Sequence, residues 1–435
     1  MDLSPGGIFP GKASVSQPEG SWRLLRQNAP FLRFWLGETA SLLGTQVTRL
    51  ALPLTAVLIL HADAAQMGYL AALELAPYLL LSLPIGLWLD RRGNRRHKMM
   101  AADLARVLLL LTLPVLYRLG LLGWTPLYLV AGLVGLAEVV FSLAYASIVT
   151  TVVPPRQYLV ASTLLQGSRA LTQFVGPALA GALIQILSAP VALVADAASF
   201  VVSALGLATI HPAEPAGAPT APHDITEGLR FVWTAAPVRL ILLGLSTINL
   251  FNYMFSALYV LYVTRFLHIH PGTLGVIFSL GAGGAIVGAL TASVIGRRMG
   301  SGNALALGTA LFTTPLMLVP FASGAHLLTL GMLTLAQVIS GFGVMVLDIN
   351  FGSLSLALVP DAVRGRTAGA FTLINYGVRP IGALLGGWLP SIVGLRGTLW
   401  IASVCAVSGV LWLLSPMVRR LQEPQGELAQ SQAPS

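Results

Sequence analysis

Gly86-Leu87-Trp88-Leu89-Asp90-Arg91-Arg92-Gly93-Asn94-Arg95-Arg96-His97-Lys98 is a dense charge cluster held between two long apolar segments. Its five cations within eight residues cannot be carried across a bilayer cheaply. Asp90 closes the apolar run that precedes them, and Gly93 permits a tight reversal. The stretch reads as a short hairpin between two membrane helices, and it marks the cytoplasmic side.

Composition agrees with that reading. Hydrophobic residues make up 55% of the chain and charged residues 9%, against about 25% charged in ordinary soluble domains. No water-facing surface can be assembled from that balance. The chain carries 25 Lys+Arg against 16 Asp+Glu, but the cations lie in loops between apolar runs and not along one amphipathic face. The basic excess is therefore read as topology, and no nucleic acid is expected as a partner. One cysteine, Cys405, excludes an internal disulfide framework, and the first 20 residues lack the apolar core of a cleavable signal. Gly6-x4-Gly11-Lys12 has the spacing of a phosphate-binding loop. However, Ala13 stands where a metal-binding Ser or Thr is needed, Pro10 intrudes and no strand precedes it, so a flexible tail is the expectation.

Apolar segments long enough to cross a ~30 Å hydrocarbon core follow at 31 to 60, 66 to 89, 99 to 118, 124 to 150, 158 to 187 and 190 to 210. A second set runs at 237 to 264, 272 to 295, 303 to 322, 326 to 357, 367 to 392 and 396 to 417. The pattern predicts an all-α membrane protein with twelve transmembrane helices in two six-helix bundles. It divides into a tail (1–30), a first half (31–210), a linker (211–236), a second half (237–418) and a second tail (419–435). In the linker, Asp224-Ile225-Thr226-Glu227 has capping-box-like spacing and leads into Leu229, Val232 and Trp233, a helix expected along the inner membrane surface. Loops assigned to the inside, with both tails, carry eighteen Lys and Arg; loops assigned outside carry three, Arg118, Arg265 and Arg396. That asymmetry predicts both termini cytoplasmic.

The halves repeat. Adding 207 takes His61 to His268, Gly68 to Gly275, Arg91 to Arg298 and Gly93 to Gly300; adding 206 takes Pro154 to Pro360, Gly176 to Gly382 and Gly181 to Gly387. Matches at one offset and in matching helix order indicate two related, pseudo-symmetric bundles, an arrangement that places a binding site near the membrane midplane. The counterpart of Asp90 is Arg297, so only the first half carries the complete loop.

Gly86-x3-Asp90-Arg91-x-Gly93-x-Arg95-Arg96 resembles the signature loop between the second and third helices of the major facilitator superfamily, with Asn94 as its one departure. Gly176-Pro177-Ala178-Leu179-Ala180-Gly181 partly resembles the Gly-Pro motif of that superfamily's drug/proton antiporters. Phe34-Trp35-Leu36-Gly37, Ser41-Leu42-Leu43-Gly44 and Asp196-Ala197-Ala198-Ser199-Phe200 resemble the branch that holds macrolide efflux pumps and the enterobactin exporter. The resemblance implies a secondary exporter working by alternating access. It further implies that Gly86, Asp90, Arg91, Gly93, Arg95 and Arg96 form a cytoplasmic latch between the halves. Charge-assisted bonds from Asp90 and its neighbouring arginines to helix ends would clamp one state. For topology alone, Asp90 and both glycines would be superfluous.

Ionisable residues at membrane depth are costly and point to function. In a facilitator layout the first, second, fourth and fifth helices of each half line the cavity. These carry Glu38, Arg49, Glu74, Glu138, Arg169, Asp348 and Arg379. Proton coupling needs a desolvated carboxylate that a neighbouring cation can re-ionise. Glu74, Glu138, Asp348 and, more weakly, Glu38 are the candidates, with Arg49, Arg169 and Arg379 as counter-ions; static buried ion pairs are the competing reading. Asp103 and Arg106, at i,i+3 on the third helix, read as a structural pair, and Asp196 as a helix cap. Asn249, Asn252, Tyr253, Gln166, Gln173, Asn375 and Tyr376 are the substrate-cavity candidates, suited to a bulky amphipathic compound.

The seven histidines lie in loops or at helix ends, without a His-Glu-x-x-His or paired-cysteine spacing, so neither catalysis nor a metal is expected. The reading is a monomeric multi-pass protein of the inner or plasma membrane that exports a drug or siderophore-like molecule. It takes no cofactor, with the proton gradient as energy source; small molecule, protons and lipid bilayer are its partners. A nutrient importer and a non-transporting sensor on the same scaffold are the alternatives.

Overall fold

The computed structural model describes residues 21–210 and 225–421, and every element in them is helical. A short α1 (Ser21–Gln27) leads into α2 (Ala29–Leu58), α3 (Ala64–Arg92), α4 (Arg95–Arg118), α5 (Trp124–Val152), α6 (Tyr158–Leu187) and α7 (Ala189–Ala208). A short α8 (Ile225–Thr234) then leads into α9 (Ala236–Arg265), α10 (Pro271–Met299) and α11 (Ser301–Thr313), which continues through a 3-10 turn into α12 (Leu318–Phe321). The series ends with α13 (His326–Leu358), α14 (Arg364–Trp388), α15 (Pro390–Leu413) and α16 (Pro416–Arg419).

Local chemistry sets the boundaries. Asn28 caps α2 by accepting from the Phe31 amide at 2.9 Å, with Pro30 in the first turn, and Asp63 and Gln66 form a reciprocal capping box at α3. Between α3 and α4, Gly93 (φ 53°) and Asn94 (φ 52°) make two consecutive left-handed residues. Asn tolerates that conformation as a long cationic side chain does not, which gives the Asn94 departure a physical reason.

Among the described residues, eleven helices are long and apolar enough to cross a membrane. The eleventh of the twelve expected crossings, α14, falls short because Arg364, Arg366, Asn375 and Arg379 dilute its apolar face. It is nonetheless 25 residues long and packs along both α9 and α3.

The two sets of helices make the same neighbours. The pairs α2 with α7, α3 with α5, α4 with α5, and α2 with α6 recur as α9 with α15, α10 with α13, α11 with α13, and α9 with α14. The offset pairs read from the sequence are conformational pairs as well. His61 and His268 are both left-handed, at φ 53° and 54°. The turns behind them are tied alike, Ala62 to the Ala56 carbonyl and Ile269 to that of Val263. Pro154 and Pro360 each precede a single 3-10 turn.

The sets touch along two seams, α6 against α10 and α3 against α14, which exchange under the same offset. Two of the repeated glycine pairs, Gly68 with Gly275 and Gly181 with Gly387, sit in them. A Cβ on Gly181 would stand 3.1 Å from the Gly275 Cα, and one on Gly387 would stand 3.0 Å from the Gly68 Cα. Both contacts lie at the end opposite the charge cluster, where one apolar core joins both sets through Leu54, Ile184, Leu258 and Leu274. Toward the cluster end the core divides: Phe31, Leu89, Met99 and Ile148 pack within the first set, and Ile241, Leu305, Leu354 and Val418 within the second. The protein is closed at one end and parted at the other.

Candidate functional site

The charged residues of the interior form two clusters. The first lies within the first set. Arg106 on α4, 1% exposed, meets Glu138 on α5 at 2.9 Å through Nη2 and lies 3.6 Å from Asp103 through Nη1. Its guanidinium also lies 4.8 Å from the ring centres of Phe141 and Phe200. Asp103 is fully buried, and neither of its carboxylate oxygens has a hydrogen-bond partner among the described residues. Arg106, read from the sequence as half of a local pair, thus also serves as the guanidinium that meets Glu138. The α4–α5 packing brings it there, which spacing along one helix cannot reveal. Glu38 on α2 is buried nearby, within electrostatic reach of Arg169, Arg106, Asp103 and Glu138.

The second cluster spans both sets. Arg379 on α14 donates from Nη1 to the Tyr253 hydroxyl on α9 at 3.0 Å and lies 3.7 Å from the Tyr376 ring centre. Asp348 on α13 lies within its field. Arg49 on α2 and Glu74 on α3 lie within electrostatic reach of each other and of Tyr253. Tyr376 stacks on Tyr78 of α3 at 5.9 Å, and the Tyr78 hydroxyl donates to Ser142 Oγ at 3.1 Å, one helical turn from Glu138. The aromatic pair therefore connects the two clusters across the gap between the sets. Glu38 and Arg49, both on α2, serve different clusters, Glu38 buried and Arg49 exposed.

Other candidates are placed as follows. Asn249 Nδ2 bonds the Leu245 carbonyl of its own helix at 3.0 Å, and Asn252 is half-buried. Gln166 and Gln173 are exposed on α6. The Asn375 Oδ1 is buried without a hydrogen-bond partner among the described residues. Pro177 and Gly181 lie in the α6–α10 seam, whereas Gly176 faces Gln46 of α2; next to the proline, the Ala178 amide donates to Ser279 Oγ of the other set at 2.9 Å. Gln185 adds a second bond there, accepting from the Gly272 amide at 3.0 Å. Neither Ser279 nor Gln185 was marked by the sequence, since each is an isolated polar residue in an apolar run.

In the charge cluster, an added Cβ at Gly86 would meet nothing within 4 Å. The side chains of Asp90, Arg91 and Arg92 lie outside the described residues. Arg96 bonds the Leu207 and Ala208 carbonyls at 2.8 and 2.6 Å, capping α7 in its own set. The Lys98 ammonium sits 4.0 Å from the Trp88 ring centre. In the linker, residue 224 of the expected capping box lies outside the described residues, while α8 docks Val232 against α9 and α14 and joins Arg366 through Glu227.

One expectation is corrected. Asp196 is no cap: α7 begins seven residues earlier, and Asp196 is buried against α2, accepting from the Thr48 hydroxyl and, at 3.0 Å, from Ser199 Oγ. Gly44 leaves the space for this, since its Cβ would collide with both Asp196 and Ser199.

Comparison with known proteins fits this architecture. The multidrug efflux pump Tap of Mycobacterium tuberculosis and that of Mycobacterium bovis are each 31% identical over 238 residues, 52% of this chain and 54% of theirs. The chain thus spans about half the length of these curated relatives. Among solved structures, a bacterial homologue of the human lysosomal transporter Spinster, inward-facing and occupied, superposes with a TM-score of 0.69 at 15% identity, over 90% of this chain and 96% of that one. A bacterial homologue of the iron transporter ferroportin, inward-facing, gives 0.68 at 17% identity, over 88% and 98%. Residues 34–383 and 241–434 match the Major Facilitator Superfamily, and the chain belongs to that family as a multi-pass protein of the cell membrane.

Proposed function

We propose that the protein is a secondary active exporter that carries an amphipathic small molecule outward in exchange for protons. The observation that carries this reading is the two-ended asymmetry of the fold. The helix sets are pressed together at one end and parted at the other, and an ionisable and aromatic cluster built from both lies between. Rocking about the glycine seams would expose that cluster to either side in turn. The efflux pumps named Tap support export as the direction.

In this reading α14 also crosses the membrane and brings the crossings to twelve, both termini and the linker are cytoplasmic, and the parted end faces the cytoplasm, as the loop charges favour. Asp90 and Arg91 would latch that end in the opposite state. Glu138 and Glu74 are the proton carriers favoured by position, since each shares its cation with a second group. The test is drug accumulation in cells lacking their own pumps, with substrate-driven proton movement in everted vesicles. Lower accumulation and an outward flux coupled to protons are expected. Flux in neither direction would overturn the reading.

A further inference from the structure

Arg265 is the last residue of α9, and its Nη1 donates at 2.9 Å to the Ala62 carbonyl, in the turn between α2 and α3 of the other set. The left-handed His61 opens that turn, and the Ala62 amide ties it back to the Ala56 carbonyl. On α6, Gln185 in the last turn accepts at 3.0 Å from the amide of Gly272, at the start of α10. Gly272 leaves the room for this, since a Cβ there would collide with Gln185 Oε1. Both bonds cross between the sets at the closed end, and both join a side chain to main chain.

The repeat shows that the fold demands neither bond. The offset of 207 pairs Arg265 with Leu58 and Ala62 with Ile269, so the mirrored bond lacks a donor. The offset of 206 pairs Gln185 with Ser391, whose hydroxyl turns back to the Trp388 carbonyl of its own turn at 2.7 Å. The second copy of each junction therefore packs without the bond. Cations are also scarce in the loops of this end, which carry Arg118, Arg265 and Arg396, and topology favours none of them there. Arg396 bonds the Pro320 carbonyl at 2.7 Å within its own set, whereas Arg265 reaches into the other. Arg265 and Gln185 are both exposed at helix ends, so water can take over their bonds when the sets part. A hydrogen bond of this kind shifts an equilibrium by about two- to tenfold, enough to bias a closed state and too little to trap it.

We propose that Arg265 and Gln185 are positioning residues for transport: they latch the closed end across the two helix sets, and both bonds break each time that end opens. The proposal rests on the alternating access of the functional reading; neither the direction of transport nor its coupling enters it.

The test is a distance measurement by double electron–electron resonance on the full chain in phosphatidylcholine nanodiscs. Nitroxides on Leu121→Cys and Leu327→Cys, in a Cys405→Ser background, report the separation of the two sets at the closed end; both leucines are exposed and flank the core residues Leu122 and Leu330. Arg265→Met keeps the apolar stem and removes the donors, and the ratio of long to short distances should rise about two- to tenfold. Gln185→Leu should do the same, and the double variant should approach the product of the two. Arg265→Lys, which can still donate to a carbonyl, should fall between parent and Arg265→Met. Arg396→Met removes a bond of the same chemistry within one set and should leave the ratio at the parent value. Gln185→Leu carries the test by itself should Arg265→Met fail to fold. Variants that melt like the parent chain and keep its distances would overturn the proposal, and so would an equal rise in Arg396→Met. A chain that opens in these variants and carries nothing refutes the functional reading alone; a chain that exports with its distances unmoved refutes the latch alone.

Discussion

Gly68→Ala isolates the seam that closes one end of the protein. In the closed arrangement the new Cβ would stand 2.6 Å from the Gly387 Cα, 2.8 Å from the Ala383 carbonyl oxygen and 2.9 Å from the Gly387 nitrogen. All three are backbone atoms, so no side chain can swing aside; relief requires α3 and α14 to separate by several tenths of an ångström. Overpacking of this kind costs about 1–3 kcal/mol. If the other state lacks the contact, the equilibrium shifts away from the described one by about five- to 150-fold. Single cysteines in a Cys405→Ser background report the shift. Ala257→Cys lies in the small alanine cluster where α3, α9 and α14 meet, and Leu87→Cys lies at the parted end. The ratio of their maleimide labelling rates, Ala257→Cys over Leu87→Cys, should rise by that factor in Gly68→Ala. It should stay at the parent value in Gly369→Ala, where an added Cβ meets nothing within 4 Å. A membrane-inserted, folded Gly68→Ala chain with an unchanged ratio would refute the assignment of this seam as a moving contact.

Three further outcomes follow from the charge clusters. Arg106→Ala removes the only guanidinium within 4 Å of Asp103 and Glu138 among the described residues, and should cost about 3–5 kcal/mol of stability, read as a large drop in melting temperature; adding Asp103→Asn should restore part of it. Asp196→Ala strips the Thr48 hydroxyl of its acceptor at the α2–α7 contact, while Ser199 keeps its bond to the main-chain carbonyl of residue 196 at 2.8 Å, and should cost about 1–3 kcal/mol, measured in the same melt. Glu138→Gln should leave the fold intact while lowering substrate-driven proton movement in everted vesicles about tenfold or more, and unchanged proton movement would remove Glu138 from the coupling path.

The repeat was the most legible feature of the chain. It survives in the residues whose backbone geometry is demanding, such as the left-handed His61 and His268, and in glycines that touch across the seams. A side chain at those positions would collide or strain, so the residue type itself carries the geometry. The charged sites were legible as a set but not as partners. Glu138 and Arg106 belong to different helices, and only the packing of α4 on α5 joins them. Asp196 was misread because an aspartate early in an apolar segment suggests a cap. Its true role depends on Gly44, 152 positions away along the chain.

The glycine seams have a consequence for energy conservation. Where Gly68 meets Gly387 and Gly181 meets Gly275, main chain lies directly on main chain, and no rotatable group stands in the joint. Such a joint has no flickering gaps through which a file of water could form. If the chain is driven by an ion gradient, as proposed above, such a joint also keeps that gradient from leaking while the carrier is idle.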